Sequence, residues 1–127
     1  MSQSPTDFFA SFPELVNLER LLQNPGARGE GVRVAIIDSG IDQEILTRRC
    51  RERGYSLKPV EGGLFTSDQS PPAPGLARPG SPHGTTVADI VVSLAPEISL
   101  FSADVVGSRG TCEVEVICRA IRWAMDE

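Results

Sequence analysis

The chain has a single histidine, a single tryptophan and a single tyrosine among its 127 residues. Any imidazole chemistry therefore rests on His83 alone. There are only three cysteines, Cys50, Cys112 and Cys118, with no C-x-x-C pair. An odd, scattered set excludes a closed disulfide framework and reads as reduced thiols of a cytoplasmic protein. No metal-ligand motif is present, so neither a metal nor another cofactor is expected. No apolar stretch approaches the ~20 residues that cross a bilayer. The start, M-S-Q-S-P-T-D-F-F-A, has no basic segment followed by an apolar run, so no secretory signal is expected. Twelve basic residues against seventeen acidic ones give a net charge of -5. With no basic run, nucleic acid and anionic membrane surfaces are excluded as partners.

What the chain does have is Val32 to Asp42, V-R-V-A-I-I-D-S-G-I-D. Five of the six residues from Val32 to Ile37 are apolar and four are β-branched. Between glycines, such a run predicts a strand buried on both faces of a parallel sheet. Asp38 then falls at the strand's carboxyl end, where open α/β sheets place their chemistry. Gly40 permits a sharp turn just after it. Asp38 either caps the following helix or serves the chemistry.

The second informative stretch is His83 to Ala88, H-G-T-T-V-A. Val87, Ile90, Val91 and Leu94 follow at helical spacing. Histidine titrates near neutral pH and is the usual general base. Taken alone, His83 reads first as a solvated loop residue and only second as a base.

In this order and spacing, V-A-I-I-D-S-G-I-D and H-G-T-T-V-A together resemble the subtilisin-like serine proteases, the subtilases. The similarity continues through Ile98 to Gly107, like the strand after the family's histidine helix, and through Thr111 to Met125, like the next family helix. It covers Gly29 to the C-terminus. The resemblance implies an α/β fold: a partial three-layer α/β/α sandwich with a mostly parallel sheet, truncated before the serine half. Residues 29–127 would form the partial catalytic domain, and 1–28 a tail with a short helix. It assigns Asp38 and His83 as the catalytic aspartate and histidine. It matches Gly110, Thr111 and Cys112 to the family's edge segment, which pairs with an extended peptide substrate.

Along the rest of the chain, residues 1 to 10 read as a loose tail. Phe12 to Gln23, with Leu15, Leu18, Leu21 and Leu22, reads as a helix stopped by Asn24-Pro25-Gly26. Gln43 to Arg53 reads as a short helix whose Arg48, Arg49, Arg51 and Arg53 form a solvated basic face. Tyr55 to Val60 suits a second strand, and Gly62 to Pro82 a surface loop rich in proline, glycine and serine. The histidine helix runs to about Ala95, Ile98 to Val106 is a third strand, and Gly107 to Gly110 a turn. Ala95-Pro96-Glu97 leaves no room for the family's calcium loop. Thr111 suits an N-cap, with Val114, Ile117, Ile121 and Met125 as the last helix's apolar face. Ending at Asp126-Glu127, that helix has acids at the wrong end of its dipole, which reads as a chain cut short. Asp89, on a packed helix where the family usually has glycine, demands a partner.

The nucleophilic serine of the resembled mechanism belongs to a G-T-S-x-A motif, and these residues hold none. Ser39, Ser81, Ser93, Ser99, Ser102 and Ser108 all lie in other contexts. The chain is therefore expected to be inactive alone and to act as a serine endopeptidase only when a second polypeptide or segment supplies the serine half. Without such a partner the Arg33–Ile37 strand would present an unpaired edge. The alternative is a non-catalytic pseudoprotease remnant that binds a peptide or protein. A third reading takes V-A-I-I-D-S-G as the phosphate turn of an actin-like ATPase, which leaves H-G-T-T-V-A unexplained.

Overall fold

A computed structural model describes residues 17–65 and 79–127. The expected N-terminal tail, the start of the first helix and most of the proline-rich loop lie outside the described residues. The elements are α1 (Leu18–Gln23), β1 (Arg33–Asp38), α2 (Gln43–Glu52), β2 (Glu61–Leu64), α3 (His83–Leu94), β3 (Ser99–Asp104) and α4 (Val114–Asp126). Short 3-10 turns occupy Pro25–Ala27 and Gly107–Arg109. The three strands form one parallel sheet in the order β1-β3-β2.

Two apolar clusters flank the sheet. On one face, Leu46 and Cys50 of α2 and Ala88 and Val92 of α3 pack on Ile36, Ile98 and Leu100. On the other, Val116 and Ala120 of α4 pack on Phe65, Ala103 and Val105. Trp123 closes this second layer, edge-on to Phe65 at 5.3 Å and to Phe101 at 6.2 Å between ring centroids. Helices on both faces of a parallel sheet make the expected three-layer α/β/α arrangement.

The strand buried on both faces is β3, not β1. Among the described residues β1 pairs only with β3, and Val32, Arg33 and Ala35 are exposed. Its residues divide by the twofold period of a strand: Val34 and Ile36 join the first cluster, Ile37 the second. Among the described residues the other edge of β1 is thus unpaired, as foreseen from the sequence.

The second strand is Glu61–Leu64 rather than Tyr55–Val60. E-G-G-L has poor strand propensity, which hid it. The glycine is needed by the pairing itself. Gly62 has φ 138°, and a Cβ there would lie 1.8 Å from the Ser102 carbonyl oxygen. Backbone contact with β3 outweighs propensity here.

The helical faces are rotated from those expected. Helix α3 buries Gly84, Thr85, Ala88 and Val92 while Ile90 is exposed. In α4, Val116 and Ala120 are buried while Val114 and Met125 are 77% and 79% exposed. In both helices the stripe against the sheet runs through an alanine, because small residues let a helix settle closely. Thr111 does not cap α4; the helix starts at Val114, and its N-cap Glu113 makes no side-chain cap.

Asp89 finds its partner across the α2–α3 contact. Arg49 Nε lies 2.7 Å from Oδ2 and Arg53 Nη1 2.8 Å from Oδ1. Two of the four arginines read as a solvated face are therefore joined to α3. Burial pushes the Asp89 carboxyl up, but the Arg53 and Arg49 guanidiniums outweigh this and hold it below its ordinary value. A lowered native pKa means that this stability is fully present above about pH 4 and fades as pH falls through the native pKa.

Two outcomes follow. Asp89→Asn should cost about 1–3 kcal/mol at neutral pH, measured by urea unfolding, with the gap from the parent shrinking below about pH 4. Gly62→Ala should lower stability by on the order of 1–3 kcal/mol and release the β2 amides to hydrogen exchange.

Candidate active site

Asp38 and His83 lie 45 residues apart in sequence and meet at one end of the sheet. Asp38 is the last residue of β1 and His83 the first of α3. His83 Nδ1 stands 2.9 Å from Asp38 Oδ1 and 2.8 Å from Oδ2. The backbone N–H of Ser39 donates to Oδ1 at 2.6 Å. Asp38 does not cap a helix; Asp42 does, its Oδ1 accepting from the Ile45 N–H that opens α2. The two meanings left open for Asp38 are thereby separated.

The approach is made possible by two glycines. A Cβ on Gly84 would lie 2.2 Å from the Gly40 carbonyl oxygen, so the turn after β1 and the start of α3 touch backbone to backbone. Two hydroxyls stitch the same seam. Ser39 Oγ accepts from the Gly84 N–H at 3.0 Å, and Thr85 Oγ1 accepts from the Asp42 N–H at 2.9 Å.

Burial pushes the Asp38 carboxyl up. The His83 ring nitrogen and the Ser39 N–H more than offset this and hold it below its ordinary value. Asp38 is therefore an anion at neutral pH, able to accept from Nδ1–H. The His83 side chain is 71% exposed, and Nε2 has no partner among the described residues. This arrangement holds one ring nitrogen and leaves the other to take a proton from an incoming group.

Beside this pair, β1 and β3 end in register at Asp38 and Asp104. Asp104 is only 3% exposed, and its Oδ1 accepts from the Val106 and Gly107 N–H groups at 3.0 and 2.8 Å. It fixes the turn that leads to Gly110, Thr111 and Cys112. Those three are exposed. Thr111 borders a cleft of about 120 Å³ lined by Leu64, Phe65, Val105, Val106 and Val116. Sequence reasoning passed over Asp104, Ser39 and Thr85. D-V-V-G, an aspartate three residues before a glycine, is the signal that could have marked the Asp104 turn. The two hydroxyls carry no sequence signal, because their partners are distant backbone groups.

If Asp38 holds a proton on Nδ1, the neutral ring should be mainly the Nδ1–H tautomer. Nitrogen-15 spectra of His83 should show this in the parent and a swing towards Nε2–H in Asp38→Ala. Equal spectra would count against the pairing.

No protein-family model matches the chain. Several curated proteins do. Subtilisin E of Bacillus subtilis (strain 168) is 32% identical over 113 residues, which is 82% of this chain and 26% of that protein. Subtilisin DY of Bacillus licheniformis is 32% identical over 112 residues, 81% of this chain and 36% of that protein. Alkaline elastase YaB of Bacillus sp. (strain YaB) is 28% identical over 113 residues, again 82% of this chain and 26% of that protein. The chain thus spans between a quarter and about a third of the length of these relatives.

Proposed function

Because the chain is related to the subtilisin-like serine proteases, we propose that it supplies the aspartate and histidine of an Asp-His-Ser triad for peptide-bond hydrolysis. Residues 29–127 are the corresponding part of a catalytic domain. The observation that carries this reading is the contact of His83 Nδ1 with both Asp38 oxygens at 2.8–2.9 Å, with Nε2 left open. In the reaction, His83 Nε2 takes the proton of a serine hydroxyl as the oxygen attacks the substrate carbonyl, then returns it to the leaving amine. Asp38 keeps the ring oriented and stabilises its charged form. Gly110, Thr111 and Cys112 line one side of the peptide, their backbone groups pairing with an extended substrate. The substrate is a peptide or protein. The serine and the oxyanion donors come from polypeptide outside these 127 residues, in the same chain or in a second one. The free thiols of Cys50, Cys112 and Cys118 favour a reducing, cytoplasmic setting.

The second reading is peptide binding without cleavage. One experiment separates the two. The chain is combined with a polypeptide carrying a G-T-S-x-A segment and assayed on a fluorogenic peptide. Cleavage that falls at least about a thousandfold in His83→Ala supports the triad. A folded complex that binds the peptide but never cleaves it supports the binding module instead, whereas cleavage indifferent to His83→Ala overturns the role given to His83.

A further inference from the structure

Helix α3 begins without a cap from its own N-cap residue. Its N-cap residue is Pro82, which makes no side-chain hydrogen bond to the first turn. The opening N–H groups of a helix need acceptors from somewhere. His83 N–H finds the Ser81 hydroxyl at 3.3 Å. Gly84 N–H finds Ser39 Oγ at 3.0 Å, from 45 residues earlier in the chain. The same hydroxyl donates to the Ser81 carbonyl oxygen at 3.3 Å. Ser39 therefore grips the backbone on both sides of His83. Its own backbone N–H holds Asp38 Oδ1 at 2.6 Å. It is 5% exposed, so water does not compete freely for these bonds.

We propose that Ser39 is a positioning residue: a helix cap supplied from the far side of the seam that sets the alignment of His83 on Asp38. The inference rests on the reading of Asp38 and His83 as the proton-handling pair. One residue binds the carboxylate through its amide and the histidine's flanking backbone through its hydroxyl. The donor and acceptor of the key hydrogen bond are thus indexed to a common point. The expected consequence of losing the hydroxyl is a slackened ring orientation while the sheet and both apolar clusters persist.

The test uses the 127-residue chain with nitrogen-15-labelled histidine. In Ser39→Ala the ratio of Nδ1–H to Nε2–H tautomer of His83 should fall by about fivefold, the factor matching a lost cap of typical strength. Ser39→Thr, which keeps the hydroxyl, should restore it. On an Asp38→Ala background, Ser39→Ala should change nothing further, because positioning acts only through Asp38. If Ser39→Ala loses the fold, Ser39→Cys keeps the volume with a weaker acceptor and is read the same way. A parent-like ratio in the hydroxyl-deleted variant, with Asp38→Ala shifted, overturns the positioning role and leaves the pairing intact. No recovery in Ser39→Thr likewise overturns the role. An unshifted Asp38→Ala overturns the pairing and the positioning together.

Discussion

The site depends on one contact between two glycines. Gly40 and Gly84 approach so closely that a methyl group on the second would overlap the carbonyl of the first. Side chains cannot be packed into that space, so the two turns meet as bare backbone. The bonds from Ser39 and Thr85 then lock them. Without that seam, β1 would still end at Asp38 and α3 would still start at His83. With it, and with α3 packed on β1, the carboxylate and the imidazole stand 2.8 Å apart. Closing so long a stretch of chain costs entropy, and the sheet and the first apolar cluster offset that cost. The packing of Ala88 and Val92 on Ile36 and Leu100 is thus the remote support of the site's geometry.

The sheet shows how partners, not residue type, decide what a carboxylate does. Asp38 and Asp104 end neighbouring strands in register. Asp104 is buried and spends one oxygen on two backbone amides, which makes it a turn-former. Asp38 gives both oxygens to an imidazole that is largely in water. Asp89 is a third case, matched by two arginines between helices. Each carboxylate is compensated by a different donor class. In each case the donors come from an element other than the one that carries the carboxylate, or from the turn that follows it.

Much of this was legible in the sequence. The β-branched run before Asp38 and the helical spacing after His83 located β1 and α3, and the family resemblance supplied the layered arrangement. The Asp38–His83 approach was anticipated from their places at the ends of those elements. Three features stayed hidden, for physical reasons. Strand β2 is built on Gly62 and Gly63, whose value lies in backbone contact with β3 and not in propensity. The buried stripes of α3 and α4 run through Ala88 and Ala120, whereas pattern reading favours the largest aliphatics such as Ile90 and Met125. The arginines of α2 looked like a solvated face because their partner, Asp89, lies 40 residues from Arg49. Long-range partners leave no periodic trace.

The geometry also separates two requirements of the proposed chemistry. An Asp–His pair decides where a proton goes; it does not decide what is attacked. Proton handling needs an anionic Asp38, a ring fixed through Nδ1 and an accessible Nε2, and the described residues meet all three conditions. Attack on a carbonyl needs a nucleophile and donors for the developing oxyanion. Those belong to a different part of the site, and the chain matches only a quarter to about a third of the length of its relatives. The preorganisation seen at Ser39, Gly84 and Thr85 is therefore independent of the serine. It follows from contacts internal to these residues, and it would serve an enzyme or persist in a binding module alike. That is why the tautomer of His83 probes the pair, while only hydrolysis that depends on His83 probes the enzyme.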